Sequence, residues 1–205
     1  DKTAAPGRIH LGESVTVTLR LSAVCPPPPE DRVDLALVLA DLSYAAPDEE
    51  RDHEMAQAEM ARRLVRGLDL ERVQVAVVQE GSSLRLGLGS SEADILAAID
   101  GVGQRWPYQQ PADYADWFGF DAAADHLALA GRPGARKMIL AALRRQTADY
   151  PYYAASADAV RERGIEVVVV NFGGAVGPAL DEIAAGPERV VDWRDAATTD
   201  VLFSR

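Results

Sequence analysis

Cysteine is nearly absent: Cys25 is the only one in 205 residues. An intramolecular disulfide is therefore impossible and multi-cysteine zinc sites are excluded. A lone thiol beside Pro26 reads as a small packed side chain, and it fits a cytoplasmic setting. Histidine is scarce as well. His10, His53 and His126 are the only three; none stands beside a serine or cysteine in a nucleophile's context, and each is expected on solvated surface. No apolar run approaches the ~18 residues that span a bilayer, and the first residues lack the charged-then-apolar order of a signal peptide. No membrane partner is expected. Positive charge is outweighed, 21 Lys plus Arg against 32 Asp plus Glu, which leaves a formal net charge of −11. A phosphate backbone would meet repulsion on approach, so no nucleic acid partner is expected. A nucleophile elbow, a Walker loop, a dinucleotide fingerprint and a second Asp closely following Asp41 are all missing. No catalytic residue is assigned and no enzyme activity is expected.

What is present is a regular alternation of apolar strands and helices. Apolar residues make up 48% of the chain and charged residues 26%, enough to build a sizeable core. Residues 9–23 alternate, with Ile9, Leu11, Val15, Val17, Leu19 and Leu21 on one parity and polar residues on the other, the pattern of a half-buried strand segment. Pro26 to Pro29 end it with a stiff spacer that no sheet interior accepts. Residues 1–29 thus read as an N-terminal β segment with a Pro-rich linker, and 30–205 as one domain. Because the odd-numbered face of the segment needs a cover, it is expected to pack beside the domain, with a strand from a longer parent protein.

Within 30–205 the apolar runs predict strands over 33–40, 72–79, 83–88, 136–143, 165–171 and 188–191. Helical spacing predicts helices over 49–68, 91–99, 121–130, 156–163 and 177–185. The run 33–40 is nearly all apolar, as in a strand covered on both faces of a parallel sheet. The fold class is α/β: a doubly wound, mostly parallel central sheet, Rossmann-like, with helices on both faces and the N-terminal β segment appended. In such sheets ligands bind beyond the carboxyl ends of the strands, near the point where strand order reverses.

Those ends carry a specific resemblance. The first strand runs into Asp41-Leu42-Ser43-Tyr44-Ala45, which resembles the Asp-x-Ser-x-Ser motif of von Willebrand factor type A domains of bacterial type. In that family the Asp and both serines help bind a divalent cation at a metal-ion-dependent adhesion site. The similarity covers roughly residues 32–203 and continues through Ala135 to Leu140 and through Arg163 to Val170, followed by Leu180 to Ala184. The departures fall on the metal site. Ala45 replaces the second serine, Leu143-Arg144-Arg145 stands where the family reads Thr-Asp-Gly, and Phe118-Gly119-Phe120-Asp121 replaces its Gly-Gly-Thr. Only Asp41 and Ser43 of the family's ligand positions remain, whereas Mg²⁺ wants about six oxygen ligands. Arg144 would bring a permanent cation to the vacated site, where it could pair with Asp41.

The resemblance therefore implies a non-catalytic protein-interaction module with a degenerate metal site and no cofactor; Asp41 and Ser43 are vestigial and Mg²⁺ is not expected. The expected partner is a protein, held through the loop face by Asp41, Ser43, Tyr44, Trp117, Phe118 and Arg144. The aromatics point the same way. Trp106, Tyr108, Tyr114, Trp117, Phe118 and Phe120 gather in one stretch, and Tyr150, Tyr152 and Tyr153 in another, both read as loops at this end of the sheet. Two alternatives stand: a Mg²⁺-dependent adhesion or scaffold domain of the same type, and a small-ligand or nucleotide-binding α/β enzyme. Gly173 to Gly177 reads as a tight connector, since a glycine-rich loop alone is weak evidence of an anion site.

Overall fold

The computed structural model describes residues 31–39, 47–79, 83–102, 119–143, 150–171 and 177–192. Strand β1 (Val33–Leu39) is buried along its whole length. It leads to α1 (Pro47–Gly67), β2 (Val73–Gln79) and β3 (Ser83–Gly89). Helices α2 (Glu92–Asp100) and α3 (Phe120–Ala130) precede β4 (Arg136–Leu143), and α4 (Tyr150–Glu162), β5 (Glu166–Asn171), α5 (Gly177–Ala184) and β6 (Val190–Asp192) complete the order.

The six strands form one sheet in the order β3-β2-β1-β4-β5-β6. Every pairing is parallel except β2 with β3. The expected architecture is present. Side chains of alternate parity on β1 serve two cores. Val33, Leu35, Leu37 and Leu39 meet Met60, Ala61, Leu64 and Val65 of α1 together with Ile95 and Ile99 of α2. Ala36 and Val38 face the other core with Ala76, Ala141 and the residues of α3, α4 and α5. Small residues on that second face let alanine-rich helices, with Ala123, Ala124, Ala154 and Ala157, come close to the sheet.

Element ends differ from the sequence reading where turn chemistry intervenes. Helix α4 begins at Tyr150, six residues before the predicted start at Ser156. Its Tyr-Pro-Tyr-Tyr opening resembles a loop, yet proline fits the first turn of a helix, where its missing N–H has no partner to lose. The last strand begins at Val190, because Pro187–Arg189 is a 3-10 turn. The N-terminal segment 1–29 lies outside the described residues.

The bottom of the sheet, at the amino ends of the strands, is held by a contact the sequence did not announce. Asp34 is 0% exposed inside β1. Arg132 Nε donates to its Oδ1 at 2.7 Å and the Arg132 backbone N–H donates to its Oδ2 at 2.6 Å. The same guanidinium donates to the carbonyls of Val33 and Arg72 at 2.7 and 2.8 Å, tying the α3–β4 turn to β1 and to the start of β2. Beside it Arg136 grips Glu166 in a two-toothed ion pair at 2.5 and 2.7 Å, linking β4 to β5. That hydrogen bond holds the Arg136 guanidinium above its ordinary range, against the opposing effect of burial.

Candidate binding face at the carboxyl ends of the strands

In strand order, the chain winds from β1 outward to β2 and β3 on one side, then returns to β4 on the other and continues to β5 and β6. The switch point is therefore the boundary between β1 and β4. At the carboxyl end of that boundary stand Leu39 and Leu143, with Gln79 closing β2 on the near side.

The amino end of α3 is set against this edge. Gly119 has φ 67°, and a Cβ there would lie 3.1 Å from Val38 Cγ1 and 3.2 Å from Val78 Cγ1. Only glycine takes that conformation at so close an approach without strain. Phe120, the first residue of α3, is 1% exposed. It meets Tyr153 of α4 edge to face, with ring centroids 6.3 Å apart and planes at 81°. Gln79, 5% exposed, accepts from Arg85 Nε at 2.7 Å and also from Arg85 Nη2, so the end of β2 is linked to β3.

The residues assigned from sequence to the binding site, Asp41, Ser43, Tyr44, Trp117, Phe118 and Arg144, all lie outside the described residues. Their points of departure do not. Asp41 follows Leu39 by two positions, Arg144 follows Leu143 directly, and Phe118 precedes Gly119. Val38 is registered against Ala141, and Asp41 and Arg144 each stand three residues further along their chains.

The structure corrects two readings. Phe120 and Tyr153, which the sequence groups with the loop aromatics of a contact surface, are core side chains, because α4 starts early enough to carry Tyr153 into the packed layer. His126 is a half-buried staple, whereas the sequence placed it on solvated surface. The pairing of β2 with β3 shifts register between Val75 and Val77. There the Leu88 N–H donates to His126 Nε2 at 3.0 Å, across from α3. Periodicity misses such a residue, since the signal lies in the bulge of a neighbouring strand. His10 and Cys25 lie outside the described residues.

Among the described residues no group of three or more His, Cys, Asp or Glu is arranged to hold a metal ion. None of their helices is long and apolar enough to cross a membrane.

The arrangement is that of a von Willebrand factor type A domain: a β3-β2-β1-β4-β5-β6 sheet with helices on both faces and its switch point at the end of β1. Solved structures share it. Proximal thread matrix protein 1 from the mussel byssus, described with a zinc-occupied MIDAS motif, superposes with a TM-score of 0.65 over 86% of this chain, at 21% identity. The chain spans 46% of that protein's length. The vWF domain of the type V pili tip protein Mfa5 from Porphyromonas gingivalis matches with a TM-score of 0.62 at 10% identity, over 84% of this chain and 94% of that domain. The pilus adhesin SpaC from Lactobacillus rhamnosus GG matches with a TM-score of 0.56 at 12% identity, over 84% of this chain and 29% of its own. No protein-family profile and no curated protein sequence matches the chain.

Proposed function

We propose that the chain is a non-catalytic protein-binding module whose partner surface is the face at the carboxyl ends of β1, β2 and β4, and that this face works without a metal ion. The observation that carries the reading is the corner at the switch point. Where the resemblance calls for a hydroxyl-bearing residue at the start of α3, the chain has Gly119 and a fully buried Phe120 packed on Tyr153. An apolar ring offers nothing to a hard cation. The sequence supports the same view, with Ala45 and Arg144 at two other ligand positions. Val38 is registered against Ala141, and Asp41 and Arg144 each follow that pair by three residues in sequence, which supports pairing the carboxylate with the guanidinium.

An interaction role agrees with the neighbours in fold, which include a pilus tip protein and a pilus adhesin. With no cation to bridge to a partner's carboxylate, affinity has to come from burying apolar and aromatic area, with arginine supplying charge complementarity. Tyr44, Trp117 and Phe118 are the assigned contact residues, flanked by Asp41, Ser43 and Arg144. Calorimetric titration with Mg²⁺, Mn²⁺ and Zn²⁺ tests the metal-free part: no binding tighter than millimolar is expected. Micromolar affinity that disappears in Asp41→Ala would establish the metal-dependent alternative instead.

A further inference from the structure

Among the described residues β3 is an outermost strand of the sheet, and it pairs only with β2. Its ladder is irregular. Val75 is registered against Gly89 and Val77 against Leu86, so Gly87 and Leu88 stand opposite the single residue Ala76. That two-against-one count is a β-bulge, which bends a strand and re-aims its side chains. Leu86 and Leu88 would share one face of a regular strand. Here Leu86 packs on the core under α1 and α2, and Leu88 on the core under α3. The bulge thus lets a single edge strand serve both cores, at the cost of a disrupted ladder. The Leu88 N–H turns to α3 instead and donates to His126 Nε2 at 3.0 Å. Gly87 makes room for the ring, since a Cβ there would lie 3.3 Å from His126 Cε1 and 3.4 Å from Nε2.

A neutral imidazole accepts at one nitrogen, and this bond makes it Nε2, with the proton on Nδ1. An imidazolium carries N–H on both nitrogens and accepts nothing, so a protonated His126 would turn a donor toward the Leu88 donor. The described charged groups of the elements packed on α3 are mostly engaged elsewhere: Asp125 of α3 with Arg163, Arg85 of β3 with Gln79, Asp34 of β1 with Arg132, Arg136 of β4 with Glu166, and Asp158 of α4 with Arg161. Asp121 of α3, Lys137 of β4 and Glu162 of α4 complete the set, and among the described residues no carboxylate is ion-paired with His126.

We propose that His126 is a pH-sensitive latch: neutral, it holds the bulge of β3 against α3, and protonation releases that edge of the sheet. Because only the neutral ring accepts, the latch is closed above the pH range in which imidazoles take up a proton and opens as pH falls through it. The opening is local, since β1 is paired on both edges and buried along its length.

Native-state amide hydrogen exchange read by NMR on the full chain tests this, with each rate divided by its intrinsic rate at the same pH. In the parent, the protection of the Leu88 amide is expected to fall about tenfold between about pH 8 and about pH 5, while that of Leu37 in β1 stays level. His126→Gln offers an amide oxygen that accepts at every pH, so its Leu88 protection is expected to be the same at both ends of the range. Gly87→Ala drives a methyl toward the ring and is expected to lower Leu88 protection already at the upper pH, leaving little further fall at the lower. A level Leu88 protection in the parent would overturn the proposal. So would a parallel fall at Leu37, which marks global opening, or an equal fall in His126→Gln, which assigns the titration to another group. Where His126→Gln fails to fold, the comparison of Leu88 with Leu37 in the parent decides.

Discussion

Asp34 illustrates how a single buried charge is made tolerable. Its carboxylate is out of water, and the penalty is offset by two donors from Arg132, which is itself only 20% exposed on its side chain. Removing the guanidinium leaves the buried carboxylate with only the backbone donor and no counter-charge. Arg132→Ala is therefore expected to lower unfolding free energy by about 3 kcal/mol in a urea titration, and Arg132→Lys by less, since a cation survives. His126 allows a sharper contrast. Replacement by Leu strands the Leu88 N–H and is expected to destabilise by about 1–3 kcal/mol, whereas Gln supplies an amide oxygen and should recover part of the loss. Equal losses in the two variants would show that packing, not the hydrogen bond, matters there. The Arg136–Glu166 pair behaves differently with pH. The guanidinium is raised above its ordinary range, so its contribution is complete below that range and fades only as pH rises through the folded value. Arg136 is thus expected to contribute no loss of stability across neutral pH.

Two helices end in the same way with different residues. At the end of α4, Gly164 takes φ 74°, its N–H donates to the Arg161 carbonyl and the Ile165 N–H to that of Val160. At the end of α5, Ala185 takes φ 59°, its N–H donates to the Glu182 carbonyl and the Gly186 N–H to that of Asp181. Both are Schellman caps, but alanine carries a Cβ into a region that disfavours it. Ala185→Gly is expected to stabilise the chain by about 1 kcal/mol and Gly164→Ala to destabilise it by a similar amount, both read from Tm. Gly119→Ala adds a collision with Val38 and Val78 to the same conformational strain, so its cost is expected to exceed that of Gly164→Ala, which meets no atom within 4 Å. A neutral Gly119→Ala would mean that the start of α3 can shift away from the strand ends.

For the molecule as a whole, β1 is central and already paired on both edges, by β2 and by β4. The N-terminal segment 9–23 can add nothing to the middle of this sheet. Deleting residues 1–28 is therefore expected to leave a soluble domain with a single cooperative thermal transition. Insolubility of the deletion would show that the segment is integral to the fold. At this scale, too, the partner hypothesis is checked: substituting Trp117 and Phe118 by Ala is expected to weaken binding to an identified partner by more than about 2 kcal/mol while Tm stays near its parent value. A large fall in Tm with binding unchanged would make these rings part of the loop's own core.

The sequence by itself determined the order of the elements and the architecture. Apart from Asp34, Val33–Leu39 is apolar on both parities because it is covered on both faces, and a strand so covered, alternating with helices, has few ways to be built other than a parallel doubly wound sheet. The proposed binding face was looked for at the carboxyl ends of the strands by the same logic, while the strand order that locates the switch point came from the structure. Only the tertiary structure decided the roles of Asp34, His126, Phe120 and Tyr153. Each depends on a partner far along the chain: Arg132 for Asp34, the displaced Leu88 amide for His126, and each ring for the other. Local periodicity reports which side of an element faces inward, but it carries no information on which long-range neighbour will satisfy a buried polar atom or orient a ring.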